Sequence, residues 1–194
     1  MEDLSLHILD IVENSTAAGA SLVEIGITEN PREDLLVISI KDNGRGMDPQ
    51  MLAGARDPFV TTRTTRRVGL GLPLLDQAAR ETGGRLEVDS APGRGTSITA
   101  TFQGSHIDRK PLGDLAATMI SLILGNPEVD FVFESNAGGV QCSLDTREIR
   151  KELGEIPITT PAVLALIRKS LTGGEEGAHT DARDEGRNDG QAQG

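Results

Sequence analysis

The chain contains no tryptophan and no tyrosine, and its only aromatic rings are Phe59, Phe102, Phe131 and Phe133. A surface that stacks nucleobases needs exposed rings, so this composition argues against one. The single cysteine, Cys142, excludes an internal disulfide, and the three histidines have no cysteine neighbours at zinc-binding spacing. No apolar run approaches the roughly 18 to 20 residues that a membrane span requires. The start, Met1-Glu2-Asp3, is acidic where a secretory leader would be basic. These absences together predict a cytoplasmic protein with no membrane partner.

Positive charge is also in short supply. Lys and Arg number 19 against 30 Asp and Glu in 194 residues, a formal net charge of -11. Such a field repels a phosphate backbone, so nucleic acid is not an expected partner. The length suits one domain, or a domain plus a small appendage, rather than two full domains. From residue 173 to 194 the composition turns to Gly, Asp, Glu, Arg, Asn and Gln, with no large apolar residue after Leu171. A segment of that kind buries too little to order itself, and it is expected to be a disordered acidic tail.

What is present is a regular alternation of helix and strand patterns. Leu4, Ile8, Ile11, Val12 and Ser15 recur at helical spacing, with Gly19 as the stop. Residues 21–28 and 35–42 are rich in Ile, Leu and Val and flank a turn-forming stretch, so they read as a hairpin. Along the second strand Leu36, Ile38, Ile40 and Asp42 share a face by the period of two, which puts a carboxylate at the end of a buried row. A helix over 72–82 and strands over 85–90 and 96–102 follow. The pattern predicts an α/β (α+β) two-layer sandwich, helices over one face of a mainly antiparallel mixed sheet.

Beyond this, residues 113–172 read as an α-β-β-α-α extension of unknown role. It comprises a helix over 115–124 capped by Asp114, strands over 129–134 and 140–145, a helix over 146–153 capped by Asp145, and a last helix from Thr160-Pro161 to about Leu171. The face of Val163, Leu164, Ile167 and Leu171 is expected to pack on the core. The implied organisation is a first domain over 1–104, a linker over 105–112, the extension and the tail.

Three local signals carry chemistry. Asp42-Asn43-Gly44-Arg45-Gly46-Met47 follows a strand, and its glycines permit close ligand approach while Asp42 is suited to accept from an exocyclic amine. Gly69-Leu70-Gly71-Leu72 opens a helix, whose free N–H groups and dipole favour phosphate. Asp10 and Asn14 lie one turn apart on the first helix, with His7 on the same face. There an amide oxygen suits Mg²⁺ and a carboxylate is placed to orient water. Each signal alone is ordinary, as a tight turn, a cap and a solvated stripe. Their order supplies in turn the parts that hold a metal, a base and phosphates.

That order resembles the GHKL superfamily, the Bergerat-fold ATP-binding module shared by DNA gyrase, heat-shock chaperones, histidine kinases and MutL. The stretch Ile8 to Ala20 is similar to the MutL form of the N box. Asp57 to Thr62, Val68 to Leu72, Gly83 to Val88 and Gly93 to Thr96 are similar to the lid and glycine boxes of histidine kinases. The resemblance implies ATP and Mg²⁺ as cofactors, with Asn14 on the metal and Asp42 on the adenine amine. Gly44, Gly46 and Met47 would line the adenine pocket, Gly69, Leu70, Gly71 and Leu72 the phosphate end, and Thr96 would support Asp42. Arg63, with Arg56, Arg66 and Arg67, lies in the lid segment and is a candidate phosphate clamp. Asp10 is the candidate base, one methylene shorter than the glutamate of the hydrolytic members, so slow hydrolysis is expected.

On function the resemblance implies an ATP-binding module of the histidine-kinase type. It would be a regulatory kinase or signalling ATPase acting on a protein partner or phosphoacceptor in trans, because only seven residues precede Ile8 and no dimerisation helices are expected there. A homodimer is a further arrangement. An anti-sigma-factor-like serine kinase and binding regulator is the first alternative, and a MutL-like nucleotide-switched clamp the second.

Overall fold

A computed structural model describes residues 3–55 and 71–172. Its elements are α1 (Leu4–Ala17), β1 (Leu22–Asn30), β2 (Leu35–Asp42), α2 (Pro49–Gly54), α3 (Gly71–Glu81), β3 (Arg85–Ala91), β4 (Gly95–Gln103), α4 (Leu115–Gly125), β5 (Asp130–Ala137), β6 (Val140–Asp145), α5 (Thr146–Leu153) and α6 (Pro161–Thr172). The strands form one six-stranded sheet in the order β3-β4-β2-β1-β5-β6. All neighbours are antiparallel except β1 and β5, which run parallel from Leu22 opposite Asp130 to Thr28 opposite Asn136. The sheet is therefore mixed and mainly antiparallel, as the pattern predicts.

Strand alternation decides which face is covered. Val23, Ile25 and Ile27 on β1, Leu36, Ile38 and Ile40 on β2, Ile98, Ala100 and Phe102 on β4, and Phe131 and Phe133 on β5 are buried. Residues between them, such as Ser39, Lys41 and Glu134, are exposed. The buried face meets helices whose apolar stripes match it: Leu4, Ile8, Ile11 and Val12 of α1, Leu75, Ala78 and Ala79 of α3, and Met119, Leu122 and Ile123 of α4 join the same core. Each fully buried aliphatic or aromatic side chain contributes about 1.5–3 kcal/mol. Val163, Ile167 and Leu171 of α6 are buried as expected, and α6 packs on α4 and β6.

The helix ends show why α1 starts where it does. Asp3 caps Leu6 N, and the carbonyls of Pro111 and Leu112 accept from Leu4 N at 2.9 Å and Ser5 N at 2.8 Å. The segment over 105–112 thus supplies acceptors that the first turn lacks by itself. Beyond it, the two strands of the extension continue the first sheet, joined through β1 and β5.

Two local features differ from the sequence expectation. The stretch after Met47 carries α2, a helix not anticipated, with Pro49 in its first turn and Asp48 Oδ1 accepting from Gln50 N at 2.9 Å and Met51 N at 2.8 Å. It buries no residue, so capping and not periodicity defines it, and no apolar pattern announces it. Strand β5 extends to Ala137, because Gly138 and Gly139 both take positive φ (65° and 78°) and close the hairpin in two residues.

Because β5 carries core residues into the sheet that also holds β1, Phe131→Ala is expected to destabilise the whole molecule by about 3–5 kcal/mol, Phe131 being 0% exposed. Urea unfolding followed by circular dichroism should show one shifted transition. A wild-type-like midpoint, or a second transition confined to the extension, would contradict the single-core description.

Candidate functional site

Asp42 ends the buried row of β2 and is 7% exposed. A carboxylate there must have its oxygens satisfied. Oδ1 accepts from Gly44 N at 2.9 Å and from Thr96 N at 3.2 Å, and Oδ2 accepts from Ser15 Oγ at 2.7 Å. Of about four acceptor positions on a carboxylate, the donors among the described residues leave one on Oδ2 for a further donor. The three donors come from α1, the turn after β2 and the start of β4, so Asp42 joins elements distant in sequence.

The turn after β2 is held from both sides. Asn43 Oδ1 accepts from Ser21 N at 2.9 Å and Leu22 N at 3.0 Å, and Arg45 N donates to Ala18 O at 3.1 Å. Gly93 N donates to Arg45 O at 2.7 Å, and Met47 N donates to Ser90 Oγ at 2.9 Å. Gly46 has φ 68°, and a Cβ on it would collide with the Ala91 carbonyl, so only glycine fits between this turn and the end of β3.

On α1, Asn14 is exposed, Asp10 is half-buried and His7 is 0% exposed. The α3 N-terminus crosses this stripe: Gly71 is buried, a Cβ on it would run into the Asp10 carboxylate, and the Gly71 backbone also borders the His7 ring. Asp10 is thus already in contact with the first residue of α3, and the space for a longer side chain at position 10 is taken up on that side. Leu72 is half-buried and packs against the core. Arg63, Gly69 and Leu70, and with them Arg56, Arg66, Arg67 and the segment from Asp57 to Thr62, lie outside the described residues, as does the tail over 173–194.

Among the described residues no group of three or more His, Cys, Asp or Glu is placed to hold a metal ion. Asn14 offers one hard amide oxygen at the solvent edge of α1. That donor set fits Mg²⁺, which keeps several waters and is bound through few protein ligands together with substrate phosphates, and does not fit an ion that needs a protein cage.

The structure brings Asp42, Gly44, Met47 and Thr96 into one hydrogen-bonded assembly with Gly46 packed against Ala91 and Gly95 beside it, and sets Asp10, Asn14, Gly71 and Leu72 along α1 and the start of α3. Two members are absent from the motif reading. Ser15 is the residue after Asn14, about 100° round the helix, so it faces the sheet where Asn14 faces solvent. Ser90 bonds to Met47 N, and its Oγ lies 2.9 Å from both Gly95 O and Thr96 Oγ1. The signal for Ser15 was its place on the apolar stripe. Ser90 had none before the β3–β4 register was known.

Comparison with known proteins gives the following. Residues 2–106 match the family described as histidine kinase-, DNA gyrase B-, and HSP90-like ATPase. The non-motile and phage-resistance protein of Caulobacter vibrioides is 33% identical over 105 residues, 52% of this chain and 12% of that protein. The sensor protein kinase FleS of Pseudomonas aeruginosa is 42% identical over 92 residues, 47% of this chain and 23% of that protein. The match therefore spans less than a quarter of either relative. A crystal structure of the N-terminal domain of a DNA repair protein aligns with a TM-score of 0.53 at 17% identity, over 75% of this chain and 53% of that one, a likeness of fold. No described helix is long and apolar enough to cross a membrane.

His7 makes the site region sensitive to acid. Neither ring nitrogen has a side-chain hydrogen-bond partner among the described residues. Burial, with Lys110 adding to it and the Gly71 backbone and Asp3 opposing, lowers the imidazole from 6.5 to about 4. Between those values the unfolded chain binds a proton that the folded chain refuses, so stability is intact above pH 6.5 and falls as pH drops toward 4, by about 3 kcal/mol in total. His7→Leu is expected to flatten the fall. Urea midpoints measured from pH 7 to pH 4.5 that decline equally in both proteins would refute this.

Proposed function

The chain belongs to the histidine kinase-, DNA gyrase B-, and HSP90-like ATPase family, and on that premise we propose that it binds MgATP and passes the terminal phosphoryl group to a protein partner. The observation that carries the nucleotide reading is the Asp42 carboxylate. It is buried, it is held by three donors, and it keeps one acceptor position on Oδ2. A purine amine is a donor of the kind this position lacks, whereas a keto oxygen would leave it unsatisfied. Asn14 would then take the magnesium ion, which neutralises phosphate charge, and the amides at the start of α3 would face the phosphates.

Phosphoryl transfer of the histidine-kinase type is favoured by the relatives, whose names include a sensor protein kinase. Within the described residues His7 is a poor acceptor, because it is 0% exposed and closed in by α3. We therefore assign the acceptor to a partner in trans. Asp10 is the candidate base for water, and its contact with Gly71 supports slow hydrolysis, since a carboxylate pinned against α3 has little freedom to approach a nucleophile. Slow hydrolysis suits transfer, as water competes with the acceptor for the same phosphoryl group.

Calorimetry with MgATP should show binding to the wild-type protein and a loss of about tenfold or more in Asp42→Asn, the size expected when a buried hydrogen bond loses its partner. Unchanged affinity in the variant would remove the nucleotide reading. With γ-labelled ATP and a candidate partner, the label should move to the partner in an acid-labile, base-stable form. Release of the label only as free phosphate would replace transfer by hydrolysis.

A further inference from the structure

The strand register aligns Ser90 with Thr96 and Thr96 with Asp42, a cross-strand row at one end of the sheet. Ser90 Oγ has three polar neighbours, each at 2.9 Å: the Met47 amide, the Gly95 carbonyl and the Thr96 hydroxyl. A hydroxyl carries one proton and two lone pairs. The Met47 amide can only donate and the Gly95 carbonyl can only accept. All three contacts are satisfied in one arrangement: Ser90 gives its proton to Gly95 O and takes protons from Met47 N and from Thr96 Oγ1. If Ser90 donated to Thr96 instead, the Gly95 carbonyl would lose this donor.

The consequence falls on Thr96. With its proton committed to Ser90, Thr96 Oγ1 has only lone pairs to offer. Its backbone N–H meanwhile is spent on Asp42 Oδ1 at 3.2 Å. Resting on the nucleotide reading above, we propose that Ser90 is a positioning residue that fixes the polarity of the Thr96 hydroxyl. The cross-strand row of Thr96 and Asp42 then offers lone pairs, from Thr96 Oγ1 and Asp42 Oδ2, to an exocyclic amine and no proton to a keto oxygen in its place, and so selects the purine with the amine. Ser90 acts through Thr96 and need not touch the base. It lies on the edge strand β3, far in sequence from Asp42.

Removing Ser90 frees the Thr96 proton, and a rotatable hydroxyl can then meet a keto oxygen. Two nucleotides of the same charge and nearly the same shape, ATP and inosine triphosphate, report this directly. Both should suffer alike from any loosening of the Met47 and Gly95 backbone, so their affinity ratio isolates polarity from packing. We expect Ser90→Ala to lower the ATP-over-ITP preference about tenfold, the order of one hydrogen bond exchanged. Ser90→Thr, which keeps the hydroxyl, should retain the wild-type ratio. Thr96→Val should lower the ratio as well, and the double variant should fall no further than Thr96→Val alone, because the two residues act as one unit.

An unchanged ratio in Ser90→Ala, a Ser90→Thr variant that behaves like Ser90→Ala, or additive losses in the double variant would each overturn the proposal. Should Ser90→Ala not fold, Thr96→Val decides alone: an unaltered ratio there overturns it. The nucleotide reading fails separately. Wild-type protein that binds neither nucleotide ends both readings, whereas binding lost in Asp42→Asn together with a ratio untouched by Ser90→Ala ends only the role of Ser90.

Discussion

A single carboxylate at the end of an apolar strand row is the constraint around which this end of the molecule is built. Leu36, Ile38 and Ile40 carry β2 into the core, and the next inward position is Asp42. An isolated buried charge is costly and a fully paired one is not. The pairing donors come from Ser15 on α1, Gly44 in the following turn and Thr96 at the head of β4. Satisfying one side chain therefore fixes the rotation of a helix, the path of a turn and the register of a strand. The acceptor capacity left over is the chemical reason to place a ligand there.

The close approaches nearby follow from the same requirement. For the turn to reach Asp42 and still bond to Ala18, Gly93 and Ser90, its backbone must pass against the end of β3, and Gly46 is the residue that lets it. Gly71 does the corresponding service at the other end of α1, where the start of α3 lies against Asp10 and over His7. One helix thus presents a buried hydroxyl, Ser15, toward Asp42 and a carboxylate, Asp10, toward the start of α3, about one and a half turns apart. The acid sensitivity expected of His7 follows from the burial of its ring, which removes solvation from the charged form, while the Gly71 backbone opposes it.

The extension shares in the construction. The segment that leads into it supplies the Pro111 and Leu112 carbonyls to the start of α1, and its strand β5 runs parallel beside β1. The helix that carries Asp10, Asn14 and Ser15 is therefore braced by residues beyond the family match, which ends at residue 106. A parallel pair needs a long crossover. Here the crossover includes β2, both strands of the second hairpin and three helices, a connection that strand patterns read one at a time do not reveal.

Periodicity and spacing in the sequence were enough to determine most elements, the two-layer plan, and the candidacy of Asp42, Asn14, Gly44, Gly46 and Gly71, whereas Thr96 was a candidate through the family resemblance alone. These are local properties: a period of two places Asp42 on the inner face, and one helical turn places Asp10 beside Asn14. Helix α2 escaped because its six residues bury nothing and rest on a cap. Ser15 and Ser90 escaped for a different reason. A hydroxyl has no pattern of its own, and its role is set by whichever donors and acceptors come within 3 Å or so. For Ser15 that depended on which face of α1 met the sheet, and for Ser90 on β3 pairing with β4 so that position 90 stands opposite 96. Register and helix rotation are fixed by the core as a whole, so the tertiary structure alone decided which hydroxyls hold Asp42 and Thr96.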